Sequence, residues 1–135
     1  MSDSEIRTTP RWQRVGLWGV KALLALAFLA AGGAKLAGAT MMVENFAQIG
    51  LGQWFRYVTG ALEVIGAILI LMPALAAFGG VLLAVVMVGA TVTHLVVLPG
   101  SPVPAIILFL LCAVVVFAHR GQIVGLAGPI SAGEA

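Results

Sequence analysis

The sequence predicts an all-α integral membrane protein, a four-helix bundle of up-down-up-down topology with both termini in the cytoplasm. Three observations predict it: the scarcity of charge, four apolar stretches separated by turn residues, and the placement of the basic side chains. Hydrophobic residues make up 61% of the 135 and charged residues 9%, with a mean hydropathy of +1.13. A soluble domain carries about a quarter charged residues to solvate its surface. Seven Lys and Arg with five Asp and Glu cannot coat a water-soluble globule of this size. The surface therefore faces lipid.

Residues 1–14 read as a cytoplasmic N-terminal tail carrying Arg7, Arg11 and Arg14. These arginines resemble the start of a secretory signal. The apolar run that follows is longer than the roughly 7–15 residues of a signal's core, and the rest of the chain is equally hydrophobic. It is read as a retained first span, 15–38. Lys21 lies near its inner end, where a long stem can snorkel toward the headgroups.

Segment 39–53 is more polar. Met42, Phe46 and Ile49 follow a helical period, which suits a short interfacial helix ended by Gly50. Trp54, Phe55 and Tyr57 open the second span, 54–73, because such rings favour the membrane–water boundary. Pro73 marks the turn into a third span, 75–98. Pro99, Gly100, Ser101, Pro102 and Pro104 make a rigid outer loop before a fourth span, 103–119. The apolar core of that last span is short against the ~20 residues needed to cross, so the proline segment is expected partly within the interface. The membrane domain as a whole occupies 15–121, and 122–135 form a C-terminal tail.

Orientation follows from Lys and Arg near the span ends. With the N-terminus inside, Arg7, Arg11, Arg14, Lys21 and Arg120 are cytoplasmic, and Lys35 and Arg56 lie toward the outside. An even number of spans returns the C-terminus to the cytoplasm. Short connections favour antiparallel neighbours. Gly32, Gly33, Gly60, Gly66, Gly79, Gly80 and Gly89 offer the small surfaces through which helices approach in lipid.

Four residues break the apolar pattern: Lys35, Arg56, Glu63 and His94. A charge deep in hydrocarbon costs at least ~2.5–3.5 kcal/mol, so it tends to be paired and to face the bundle interior. Glu63 sits nine residues into the second span, ~13 Å below its outer end at 1.5 Å per residue. That is too deep for a short side chain to reach the headgroups. Lys35, Arg56 and His94 fall in the same outer half, so the four come from three helices at one level. A polar network of Glu63 with Lys35 and His94 would be charge-compensated and open to the outer surface. Each residue also has a plainer reading. Glu63 and Lys35 can form a structural ion pair, or Lys35 can snorkel outward. His94 can bond carbonyls at its own helix end, Arg56 can hold lipid phosphate, and Glu44 is within reach of Lys35 or Arg56.

Several chemistries are excluded or disfavoured. No basic stripe with interleaved aromatics points to nucleic acid. Cys112 is the single cysteine, which rules out an intrachain disulfide or a Cys-x-x-Cys exchange motif. Glu63 and His94 alone make a thin donor set, without the Glu-x-x-His repeats of di-iron bundles, so no metal is expected. No phosphate loop or Ser-His-Asp set is present, and a self-contained enzyme is not indicated.

The ordered segments FLAAGGAKLAG (28–38), MVENFAQIGLGQWFRYVTGALEVIGAILIL (42–71) and AVVMVGATVTHL (84–95) carry a resemblance over nearly the whole chain except its tails. With G-x-x-K-L at 32–36 and G-x-x-E-x-x-G at 60–66, the sequence resembles the DoxX-like family of small bacterial four-helix membrane proteins. The resemblance implies a multi-pass protein of the bacterial cytoplasmic (inner) membrane. It also implies that Lys35, Glu63 and His94 occupy recurring polar positions. Some relatives are connected with redox complexes, including a thiosulfate:quinone oxidoreductase subunit. Without a cysteine pair, thiol chemistry here would need a redox partner protein.

The functional expectation is a subunit of a membrane redox or stress-related complex that binds a small amphipathic molecule, with a quinone as candidate ligand. Glu63 would accept a proton or anchor the ligand, and Lys35 and His94 would set its charge and donate hydrogen bonds. A non-catalytic scaffold or assembly subunit is the alternative. A transporter is less favoured, because 135 residues would need a homo-oligomer to build repeated halves.

Overall fold

The computed structural model describes residues 10–125. The expected tails, 1–14 and 122–135, therefore lie largely outside the described residues, and Arg7 with them. Within 10–125 the chain is helical without strands. The helices are α1 (Arg11–Ala37), α2 (Thr40–Ile49), α3 (Gln53–Leu71), α4 (Ala76–Val96) and α5 (Val103–Ala118). Residues 120–125 are helical again after a turn at His119. Among the described residues α1, α3 and α4 are long and apolar enough to cross a membrane, and α5 is a shorter apolar helix. Its 16 residues span ~24 Å at 1.5 Å each, short of the ~30 Å hydrocarbon core.

Glycine and proline set the boundaries. Gly38 is left-handed at φ 75°, and the N–H groups of Gly38 and Ala39 donate back to the carbonyls of Lys35 and Ala34. This double closure satisfies carbonyls that the end of a helix leaves open. Gly50 closes α2 in the same conformation. Pro102 precedes α5 and Pro104 lies in its first turn, where a missing N–H costs nothing. The first helix begins at Arg11, earlier than the apolar pattern alone suggests, because a regular helix continues through polar residues once nucleated.

Close helix contacts run through some of the glycines and not others. A Cβ on Gly32 would lie 2.8 Å from the Gly60 carbonyl oxygen, and one on Gly60 would lie 2.9 Å from Cβ of Lys35. Farther along, Gly38 faces the Arg56 guanidinium. On the next interface Gly79 meets Gly66 and Ile70, Gly66 meets Leu83, and Gly80 then meets Cys112 and Val116 of α5. Gly33 and Gly89, expected to do likewise, have open space where a side chain would be. The buried core is Leu24, Phe28, Ala67, Ile70, Leu83, Met87, Cys112 and Val115, drawn from α1, α3, α4 and α5. Large apolar residues such as Leu26, Ile65, Val85 and Leu110 stay exposed on the outside. Such a surface suits hydrocarbon rather than water.

Candidate functional site

The charged residues of the long helices lie toward two ends of the core. At the first, Lys35 lies in the last turn of α1, Arg56 in the first turn of α3 and Glu63 two turns further along α3. The Gly32–Gly60 crossing brings the two backbones close enough for the side chains to meet. Lys35 Nζ donates to Glu63 Oε2 at 3.0 Å, the one ion pair among the described residues. Glu63 is 2% exposed and Arg56 5%, while the Lys35 side chain keeps 12%. The pair is thus nearly dry on the acid side, with its remaining opening at the ammonium. In a medium of low polarity each charge depends on the other.

Arg56 completes the cluster without touching the carboxylate. Its Nη1 donates to the Lys35 main-chain oxygen, Nε donates to Gln53 Oε1 at 2.7 Å, and the guanidinium lies over the Tyr57 ring at 4.3 Å. A cation on a carbonyl at the C-terminal end of α1 complements the negative end of that helix dipole. Gln53 in turn donates to the Val43 carbonyl at 3.1 Å, and Phe46 packs on Phe55, so α2 is tied to the same cluster. Chemically, the site offers a carboxylate acceptor beside an ammonium with donors to spare, framed by a fixed guanidinium.

His94 is elsewhere. Its Nδ1 lies 2.9 Å from the Ala90 carbonyl one turn back on α4, and no bond joins it to Lys35 or Glu63 among the described residues. Thr91 and Thr93, its polar neighbours on α4, donate to the Met87 and Gly89 carbonyls of their own helix. Hydroxyls in an apolar helix commonly resolve their donors this way. Glu44 is exposed and makes no ion pair among the described residues.

The second polar end is one that sequence reasoning missed. Lys21 is 1% exposed. Its Nζ lies 3.3 Å from His119 Nε2 and 4.0 Å from the centre of the Trp18 ring, so it does not snorkel. Gln122 accepts from the Ala77 N–H at 3.0 Å, near the start of α4, and donates to the Pro73 carbonyl. The signal in the sequence was a histidine and a glutamine just after the last apolar run. Their spacing alone does not reveal which helix they reach. Between the two ends, Leu24, Ala25, Phe28, Ala67 and Ile70 form an apolar layer.

Among the described residues no group of three or more His, Cys, Asp or Glu side chains could hold a metal ion. The family model of the DoxX-like family matches residues 19–118. The chain belongs to the DoxX-like family. In this DoxX-like protein the match takes in Lys21, Lys35, Arg56, Glu63 and His94, and it ends before His119 and Gln122. Comparison with curated proteins returned no match, and comparison with solved structures returned none.

Proposed function

We propose that this DoxX-like protein is a four-span subunit of a membrane redox or stress-related complex in the bacterial inner membrane. In this reading the Lys35–Glu63 couple anchors a small amphipathic molecule of the quinone class. The membrane domain is 15–121, with spans 15–38, 54–73, 75–98 and 103–119, segment 39–53 at the outer interface and both tails cytoplasmic. Between α1 and α3 the contacts 38 with 56 and 32 with 60 run in opposite directions, as do 66 with 83 and 70 with 79 between α3 and α4, which supports antiparallel neighbours.

One observation carries the ligand reading: a buried carboxylate is held by a lysine that stays partly open. A quinone carbonyl could accept from the Lys35 ammonium, and the hydroxyl of a bound quinol could donate to Glu63. Arg56 acts as a positioning residue by fixing the Lys35 backbone. His94, held by its own helix, has no part in it. The apolar layer around Phe28 separates this cluster from Lys21 and gives no support to a polar path through the protein.

A quinone titration of the purified protein tests the reading. Saturable binding should weaken at least about tenfold in Glu63→Gln, the scale of one lost charged hydrogen bond. Unchanged affinity in the variant, or no binding by the wild type, overturns it. A scaffold role is favoured by a second observation, that the pair lies beside the tight Gly32–Gly60 crossing. It predicts that Glu63→Gln alters oligomer or partner recovery with no quinone bound by either form.

A further inference from the structure

An apolar groove runs between α4 and α5 on the side of the protein away from the Lys35–Glu63 pair. Its larger part, ≈ 380 Å³, is lined by Val81, Val85, Val88, Ala113, Phe117 and Arg120 among others. A smaller part, ≈ 190 Å³, shares Val88 and Phe109 with it and continues to Val92 and Ile106. From Val81 to Val92 the groove covers ~16 Å of helix at 1.5 Å per residue. One leaflet of a ~30 Å hydrocarbon core is ~15 Å deep. The groove therefore has the length of a single leaflet, and one polar side chain stands at its end.

That side chain is Arg120. It is exposed, donates Nη1 to the Phe117 carbonyl at 2.8 Å and lies over the Phe117 ring at 4.2 Å. A guanidinium has five donors in a fixed fork, so most remain for a ligand. Along the groove nothing polar asks for a partner, since the Thr91 hydroxyl is satisfied by Met87. Through the Lys21–His119 contact the start of α1 lies at the same end, which brings Arg11 and Arg14 to this side. The acids among the described residues, Glu44 and Glu63, belong to the opposite end, so no described carboxylate competes for these cations.

We propose that this groove is a binding site for one anionic phospholipid, with an acyl chain along α4 and α5 and the headgroup phosphate on Arg120. The chain loses little freedom in a slot already one leaflet deep. The phosphate meets a fork that binds such oxygens in pairs. A phospholipid fits better than a second copy of this chain, which would place an arginine against an apolar seam without a described acid to match it. The site is independent of the quinone reading.

Native mass spectrometry of the protein in micelles, with phosphatidylglycerol or phosphatidylcholine of identical chains, tests the proposal. The wild type should retain about fivefold more of the anionic lipid, the scale of one favourable arginine contact at an anionic surface. Arg120→Gln should remove the preference. Ala113→Phe, which fills the groove, should lower retention of both lipids, whereas Ile65→Phe on the exposed face of α3 should change neither. Helical content by circular dichroism identifies the variants that are folded. Equal retention of the two headgroups by the wild type overturns the proposal. So does full retention in folded Ala113→Phe, or a dimer that carries no lipid.

Discussion

Lys35 and Glu63 sit 3.0 Å apart with little solvent around the carboxylate, so removing one partner strands the other. Lys35→Met is expected to destabilise the protein by ~3–5 kcal/mol, because a buried charge is left uncompensated. The double variant Lys35→Met/Glu63→Leu should recover most of that loss, since apolar replacements of a buried pair are often close to neutral. Reversible unfolding in mixed micelles reads both values. The pair was legible in the sequence because a glutamate nine residues into a span has few ways to be satisfied. Arg56 was legible as a residue of note, but not as a cap on the Lys35 carbonyl, which depends on the turn at Gly38. Lys21 was misread for a physical reason. Snorkelling is a statement about side-chain length and depth, and it does not anticipate a histidine 98 positions away. His94 shows the reverse: its depth suggested a shared site, while its rotation on α4 gives it to the Ala90 carbonyl.

The helices hold their ends by different means. The start of α4 has its Ala77 N–H satisfied by Gln122, a residue that follows α5. Gln122→Ala should cost ~0.5–2 kcal/mol locally, the range for losing a side-chain cap on a helix N-terminus. Amide exchange at Ala77 should quicken accordingly while exchange around Glu63 is unchanged. Unaltered exchange at Ala77 would contradict the cap. Helix existence was readable from hydropathy and from Gly50, Pro73 and the Pro99–Pro104 region. Which glycines make contacts was not, because Gly32 and Gly33 are adjacent in sequence yet only one faces α3. Composition marks a helix as able to pack closely, and rotation about its axis decides which side does so.

At the scale of the whole molecule, polarity is divided between two ends with an apolar layer between them. Arg11, Arg14 and Lys21 at the start of α1 mark one end with Arg120, and Lys35, Arg56 and Glu44 mark the other. Orientation with the α1 start inside predicts how single cysteines label in a Cys112→Ala background. Trp12→Cys should be shielded from a membrane-impermeant maleimide added outside intact cells, and Gln48→Cys should react. Both positions are exposed on the protein, so the opposite pattern would reverse the topology. The functional claim rests on the buried couple acting on a ligand rather than only joining α1 to α3. The decisive measurement is the quinone affinity of folded Lys35→Met/Glu63→Leu, which separates the two roles. A folded double variant with affinity reduced at least about tenfold, the scale of a lost charged hydrogen bond, is the predicted result. A folded double variant that binds quinone as tightly as the wild type would contradict the account.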